Sequence, residues 1–168
     1  SEIIDAFQNK ALGHDANLKP TANWSFDVLA GAGALYSSVE DLVQWLAAYL
    51  QLVNSPLQPV FIETTKIQRP TDREQVKIGL AWHVSTRNGF TYVLHNGATA
   101  GYASLIAFDT KAQRGVVVLT NAAYPVDDLG LHLLHSPFPL TKVDPGAGHE
   151  TVAVDPQKYQ RLVGRYSL

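Results

Sequence analysis

The sequence predicts an α+β fold, with one antiparallel β-sheet, a meander of about four strands, and helices packed on it. Three observations predict it. Leu42, Trp45, Leu46, Tyr49, Leu50 and Val53 follow the spacing of a single helical face. From residue 76 onward the apolar period changes to two. Turn signals, Asn88-Gly89 and the polar stretch 109–115, then separate the apolar runs.

Taken in order, residues 1–11 suggest a short helix, and residues 13–34 are irregular and rich in Gly, Ala, Asn and Pro. The helix predicted over 38–53 starts with a capping box, Ser37 with Glu40, and Glu40 and Asp41 suit its positive end. Residues 57–67 predict a second, shorter helix. In VKIGLAWHV, Ile78, Leu80, Trp82 and Val84 share one face, and Gly79 and Ala81 leave the other face low enough for close packing. FTYVLH, YASLIAFD and GVVVLTN supply the other strands. Val116–Leu119 is apolar on both faces, which suits a strand covered on both sides. Residues 126–135 predict a closing helix with Val126, Leu129 and Leu133 inward. The three prolines and two glycines of 136–150 read as a linker after a unit spanning 1–135, and 151–168 as the start of a C-terminal extension.

Composition narrows the function. The chain has 168 residues, enough for one domain with a real core. A net charge of −2 gives no reason to expect nucleic acid as a partner. Cysteine is absent, which removes disulfides and thiolate metal sites. His132 and His135 are three apart on the closing helix, but no third ligand stands at a metal-binding spacing nearby, so no metal and no cofactor are expected. Methionine is absent too, as expected of a processed chain or a fragment.

The stretch HNGATAGY, 95–102, carries the most chemistry. A strand lining an acyl-transfer site needs a polar side chain in the cleft, glycine where substrate lies flat on the backbone, and a free N–H aimed at the carbonyl oxygen. His95, Gly97 and the N–H of Ala98 offer these in order. The same triplet also suits an ordinary turn. A triad of Ser104, His95 and Asp109 is a second arrangement to test, although a mid-strand serine is commonplace in a core.

The strings AGAGALYSSVEDLVQWLAAYL, GLAWHV, HNGATAGYASLIAFD and RGVVVLTN, in this order and spacing, resemble the C-terminal half of the serine β-lactamase-like family. That family includes class C β-lactamases, D-alanyl-D-alanine carboxypeptidases and related esterases. The resemblance covers about residues 11–123. It implies the C-terminal portion of a β-lactamase/transpeptidase-like fold. It also implies that His95-Asn96-Gly97 is the Lys/His-x-Gly motif on the sheet edge, that Ala98 completes the oxyanion hole, and that Asn96, Gly97 and Thr99 lie along bound substrate. Gly101 and Tyr102 match the turn into the next strand.

Two departures qualify this. Class C β-lactamases usually carry lysine where His95 stands, and a histidine offers less fixed positive charge to a substrate carboxylate. The family's Ser-x-x-Lys and Tyr-x-Asn motifs are absent: no serine has lysine three positions on, and no tyrosine has asparagine two positions on. A Gly-x-Ser-x-Gly elbow is absent as well. The chain alone is therefore expected to be inactive. It is expected to meet a missing N-terminal catalytic half, or to self-associate through an exposed sheet. The resemblance implies a hydrolase of acyl-D-Ala-D-Ala peptides, β-lactams or esters in the bacterial envelope, the periplasm or the medium. The alternative is a binding or assembly module without catalysis.

Overall fold

The structure, a computed structural model, describes residues 10–141. The helix expected over 1–11 falls almost entirely outside the described residues, as do most of the 136–150 linker and all of 151–168. A 3₁₀ segment, Asp27–Ala32, precedes α1 (Val39–Tyr49) and α2 (Gln58–Thr65). Six strands follow: β1 (Arg69–Pro70), β2 (Val76–Ile78), β3 (His83–Arg87), β4 (Phe90–Thr99), β5 (Tyr102–Asp109) and β6 (Arg114–Thr120). Helix α3 (Asp127–Leu134) closes the described chain. The strands form one antiparallel sheet in sequence order.

The sheet thus has six strands where the sequence suggested about four. VKIGLAWHV is not one strand. The chain turns at 79–82 and β2 pairs back on β3, with Val76 opposite Ser85 and Ile78 opposite His83. The cause is close packing against the end of α2. Leu80 donates its N–H to the Thr64 carbonyl, and a Cβ on Gly79 would collide with that same carbonyl. Ala81 then takes a φ of 63°, a conformation that alternation of side chains cannot signal. Leu80 is left exposed, whereas Trp82 and Val84 are buried.

Helix α1 is capped one residue later than the sequence suggested. Ser38 Oγ accepts the Asp41 N–H at 3.1 Å, while Ser37 Oγ turns to the Ser38 carbonyl. The helix stops at Tyr49, because Gln51 has a φ of 59°, and Val53 lies exposed beyond it. Ser38→Ala is expected to cost about 1 kcal/mol, read from the urea midpoint, with Ser37→Ala near neutral. Equal effects would contradict this cap assignment.

Two clusters cover the two faces of the sheet. Leu46, Tyr49, Phe61, Trp82, Val84, Val93 and Phe108 pack under α1 and α2. Trp82 Nε1 donates to the Tyr49 hydroxyl at 3.1 Å, and that hydroxyl shares a further hydrogen bond with Thr64 Oγ1, which joins both helices to β3. Tyr92, Leu105, Ala107, Val126, Leu134 and Phe138 pack under α3. The inward line of α3 is Val126, Gly130 and Leu134, not Val126, Leu129 and Leu133. Gly130 sets this rotation: a Cβ there would collide with Leu105, so the helix turns its bare backbone to the sheet. Leu129 and Leu133 are left exposed.

Candidate active site

Two hairpins set the geometry at 95–99. Asn88 and Gly89, both with positive φ, join β3 to β4 as the sequence suggested. The β3–β4 pairing ends at His83 opposite Leu94. The β4–β5 pairing continues to Thr99 opposite Tyr102, across a two-residue turn in which Gly101 has a φ of 81°. A Cβ on Gly101 would also meet the backbone of Gly13 and His14. His14 donates its N–H to the carbonyls of Gly101 and Asn121, so an N-terminal segment buttresses this turn.

Among the described residues, 95–99 are therefore laddered on one side only. A two-residue hairpin closes on a mutually hydrogen-bonded pair, here Thr99 and Tyr102, and the ladder alternates from there. Gly97 with Ser104 and His95 with Ile106 exchange bonds across to β5. Asn96 and Ala98 direct their N–H and C=O groups to the open side. Residue 98 is exposed, and among the described residues no strand pairs with this side of it.

The side chains divide between the two faces of the sheet. His95, Gly97 and Thr99 share the face of Val93, on the α1 side. A Cβ on Gly97 would stand 2.9 Å from Ser104 Oγ, so glycine keeps this stretch flat. Asn96 points the other way and its Nδ2 donates to Asp127 Oδ1 at 2.7 Å, in the first turn of α3. Only the backbone of Asn96 remains at the edge. The adjoining Asp128 carboxylate accepts the N–H groups of Thr141 and Leu129, and these bonds, Thr141's first, hold it below the usual carboxylate range.

The triad of Ser104, His95 and Asp109 is not assembled. Ser104 Oγ turns to the Gly97 carbonyl, and Asp109, at the far end of β5, faces His135 instead. The two histidines of the closing helix are engaged separately: His132 Nδ1 lies 2.7 Å from the Phe138 carbonyl oxygen. Among the described residues no group of three or more His, Cys, Asp or Glu could hold a metal ion, and no helix is long and apolar enough to cross a membrane.

One neighbour was not singled out from sequence. His83 ends β3 beside the open edge, its ring centroid 5.7 Å from that of His95. Only the pairing of β3 with β4 brings the two together, so spacing along the chain gave no signal. A groove of about 600 Å³ lies on the α3 face, bordered by Arg73, His83, Ser85, Arg87, Asn96 and Asp127. It meets the edge through Asn96 and His83.

The family model described as Beta-lactamase matches residues 5–135. Solved structures with a similar fold include a β-lactamase/D-alanine carboxypeptidase from Pseudomonas syringae. That protein is 22% identical with a TM-score of 0.60, and the match covers 68% of this chain and 41% of that one. A class C β-lactamase is 17% identical with a TM-score of 0.69, covering 82% and 46%. The octameric penicillin-binding protein homologue from Pyrococcus abyssi is 20% identical with a TM-score of 0.65, covering 82% and 32%. The chain spans less than half the length of each. No curated protein matches it.

Proposed function

This chain belongs to the beta-lactamase family, and from that premise we propose that it forms one wall of a serine hydrolase site that works through an acyl-enzyme. The observation that carries the proposal is the open edge at 95–99, where the Ala98 N–H faces outward beside Gly97 and His95. In this reading Ala98 N–H stabilises the oxyanion, and Gly97 and the backbone of Asn96 take the extended substrate, with Thr99 flanking it. His95 bears on the proton network or on a substrate carboxylate. The nucleophile and its Lys and Tyr partners come from a segment this sequence does not contain, since neither Ser-x-x-Lys nor Tyr-x-Asn occurs in it. The exposure of His95, Asn96, Gly97 and Ala98 supports this, because oxyanion stabilisation is worth most in a site closed to water.

The substrate class that fits best is an acyl-D-Ala-D-Ala peptide, because histidine rather than lysine holds position 95, with an ester next and a β-lactam third. Such substrates place the parent protein in the bacterial envelope, the periplasm or the medium. A non-catalytic binding module is the competing reading. An amide-resolved NMR titration of the chain with N-acetyl-D-Ala-D-Ala tests the substrate wall. Shifts at the Ala98 and Asn96 amides are expected at millimolar ligand, because half the site is missing. Shifts confined to the α3 groove, or none up to the solubility limit, would overturn the assignment.

A further inference from the structure

On β3 the alternate residues His83, Ser85 and Arg87 share one face, opposite Leu94, Tyr92 and Phe90 of β4. Those three partners belong to the cluster under α3 or pack against it. Helix α3 itself packs on β5 and β6. The same face of β3 is instead the floor of the groove of about 600 Å³, walled by Asp127 of α3 and by Arg73 and Glu74 of the β1–β2 turn. That volume lies within the range of about 300–1,000 Å³ common for small-molecule sites.

Two features of the groove serve no contact within the fold. Ser85 lines it and is only 6% exposed, yet its hydroxyl has no hydrogen-bond partner among the described residues. A buried hydroxyl left unpaired costs stability. Arg73 and Arg87 border the groove, and neither forms an ion pair among the described residues. The register places Glu74 level with Arg87, since Val76 stands opposite Ser85 and Thr86 donates its N–H to the Gln75 carbonyl. The Arg87 guanidinium lies instead over the Phe138 ring, 5.5 Å from its centroid, which fixes it at the hairpin end. Asp127 stands at the other end, where its Oδ1 accepts the Asn96 amide and the first turn of α3 offsets its charge. The two ends therefore differ. Two guanidinium groups occupy one, His83 and Asn96 the other, about 13 Å away along β3. Between them lie the Ser85 hydroxyl and the apolar surfaces of Leu94 and Leu131.

We propose that this groove binds a small organic oxyanion, a phosphate ester or a carboxylate, with its head at Arg73 and Arg87 and its body along Ser85 toward His83. Arginine suits this chemistry because its planar fork pairs with two oxygens at once. Ser85 Oγ would donate to the ligand and so gain the partner that the fold does not supply. Glu74 partly offsets the two guanidinium groups, so paired hydrogen bonds rather than net charge hold the head. Leu94 and Leu131 take the apolar part of the body. The site goes beyond the hydrolase reading and does not rest on it.

An amide-resolved NMR titration of the 168-residue chain with phenyl phosphate tests it, with benzoate and phenol as parallel arms. Saturable shifts are expected at the Ser85, Thr86 and Arg87 amides with an anion, and binding about ten-fold weaker or less with phenol. The tighter of the two anions identifies the head as phosphate or carboxylate. Arg87→Gln should weaken binding about ten-fold. Ser85→Ala should weaken it about three-fold or more and leave the urea midpoint unchanged, because no protein partner is lost. No saturable shifts at these amides with either anion would overturn the proposal. So would phenol binding as tightly as the anions, or unchanged binding by Arg87→Gln. A lowered urea midpoint in Ser85→Ala would show that the hydroxyl serves the fold and would overturn its role as ligand donor. The Ala98 amide lies outside the groove, so failure here and failure of the hydrolase reading are distinguishable.

Discussion

Incubated with a reactive penicillin, the chain is expected to keep its mass of 18.3 kDa, with no acyl adduct. The reason is chemical. A serine hydroxyl at neutral pH is a poor nucleophile until a positioned base takes its proton. Ser38 is spent capping α1, Ser85 is buried, and Ser104 turns to the Gly97 carbonyl. Removing the nucleophile from comparable serine enzymes costs on the order of 10⁶ in rate, so no adduct should build up over hours. Denaturing intact-mass spectrometry before and after incubation decides it. An adduct on this chain would place the nucleophile among serines set aside here and overturn the reading that another segment supplies it. An adduct on a heavier species carrying this sequence would support that reading directly.

Replacing Asp109 with alanine is expected to destabilise the fold by about 2–4 kcal/mol, the cost of leaving buried donors without the carboxylate they face. Asp109 Oδ2 lies 3.1 Å from His135 Nε2, with the two side chains 8% and 4% exposed. The angle there falls short of a good hydrogen bond, so position rather than bond geometry holds the pair. The other oxygen, Oδ1, accepts the N–H groups of Lys111 and Ala112 and so shapes the turn into β6. His135 also stacks on Phe90 at 4.2 Å between ring centroids and lies beside Phe138. Alanine would leave the two turn donors without their acceptor and remove the carboxylate that faces the buried imidazole. Asparagine keeps an acceptor for the turn, and Asp109→Asn should cost about 1–2 kcal/mol. Urea unfolding of both variants checks the order. Equal losses would show that the contact with His135, not the turn bonds, carries the effect.

Local patterns survived folding where the structure needed only local information. The face of α1 holds at Leu46, Tyr49 and Leu50, and the Asn88-Gly89 turn joins β3 to β4. The both-face apolarity of Val116–Leu119 matches the strand that α1 and α3 cover. Patterns failed where a close approach from elsewhere decided the backbone. Thr64 forces the turn at Gly79, and Leu105 forces α3 to present Gly130 rather than Leu129. No periodicity within a window of ten residues reports a neighbour that lies far along the chain.

For the candidate site the division is similar. The sequence by itself determined the chemistry on offer: a histidine, a flat glycine and a small residue at the end of a strand, in a chain without Ser-x-x-Lys. It could do so because residue type and spacing fix what a short segment can donate, accept or exclude. Only the tertiary structure decided which of those groups are free. The ladder with β3 stops at Leu94, so the N–H of Ala98 faces outward, while Asp127 takes the Asn96 side chain to the other face. The same register brings His83 beside His95. A strand's hydrogen-bonding edge is set by where its neighbours end, and that is a property of pairing between distant segments.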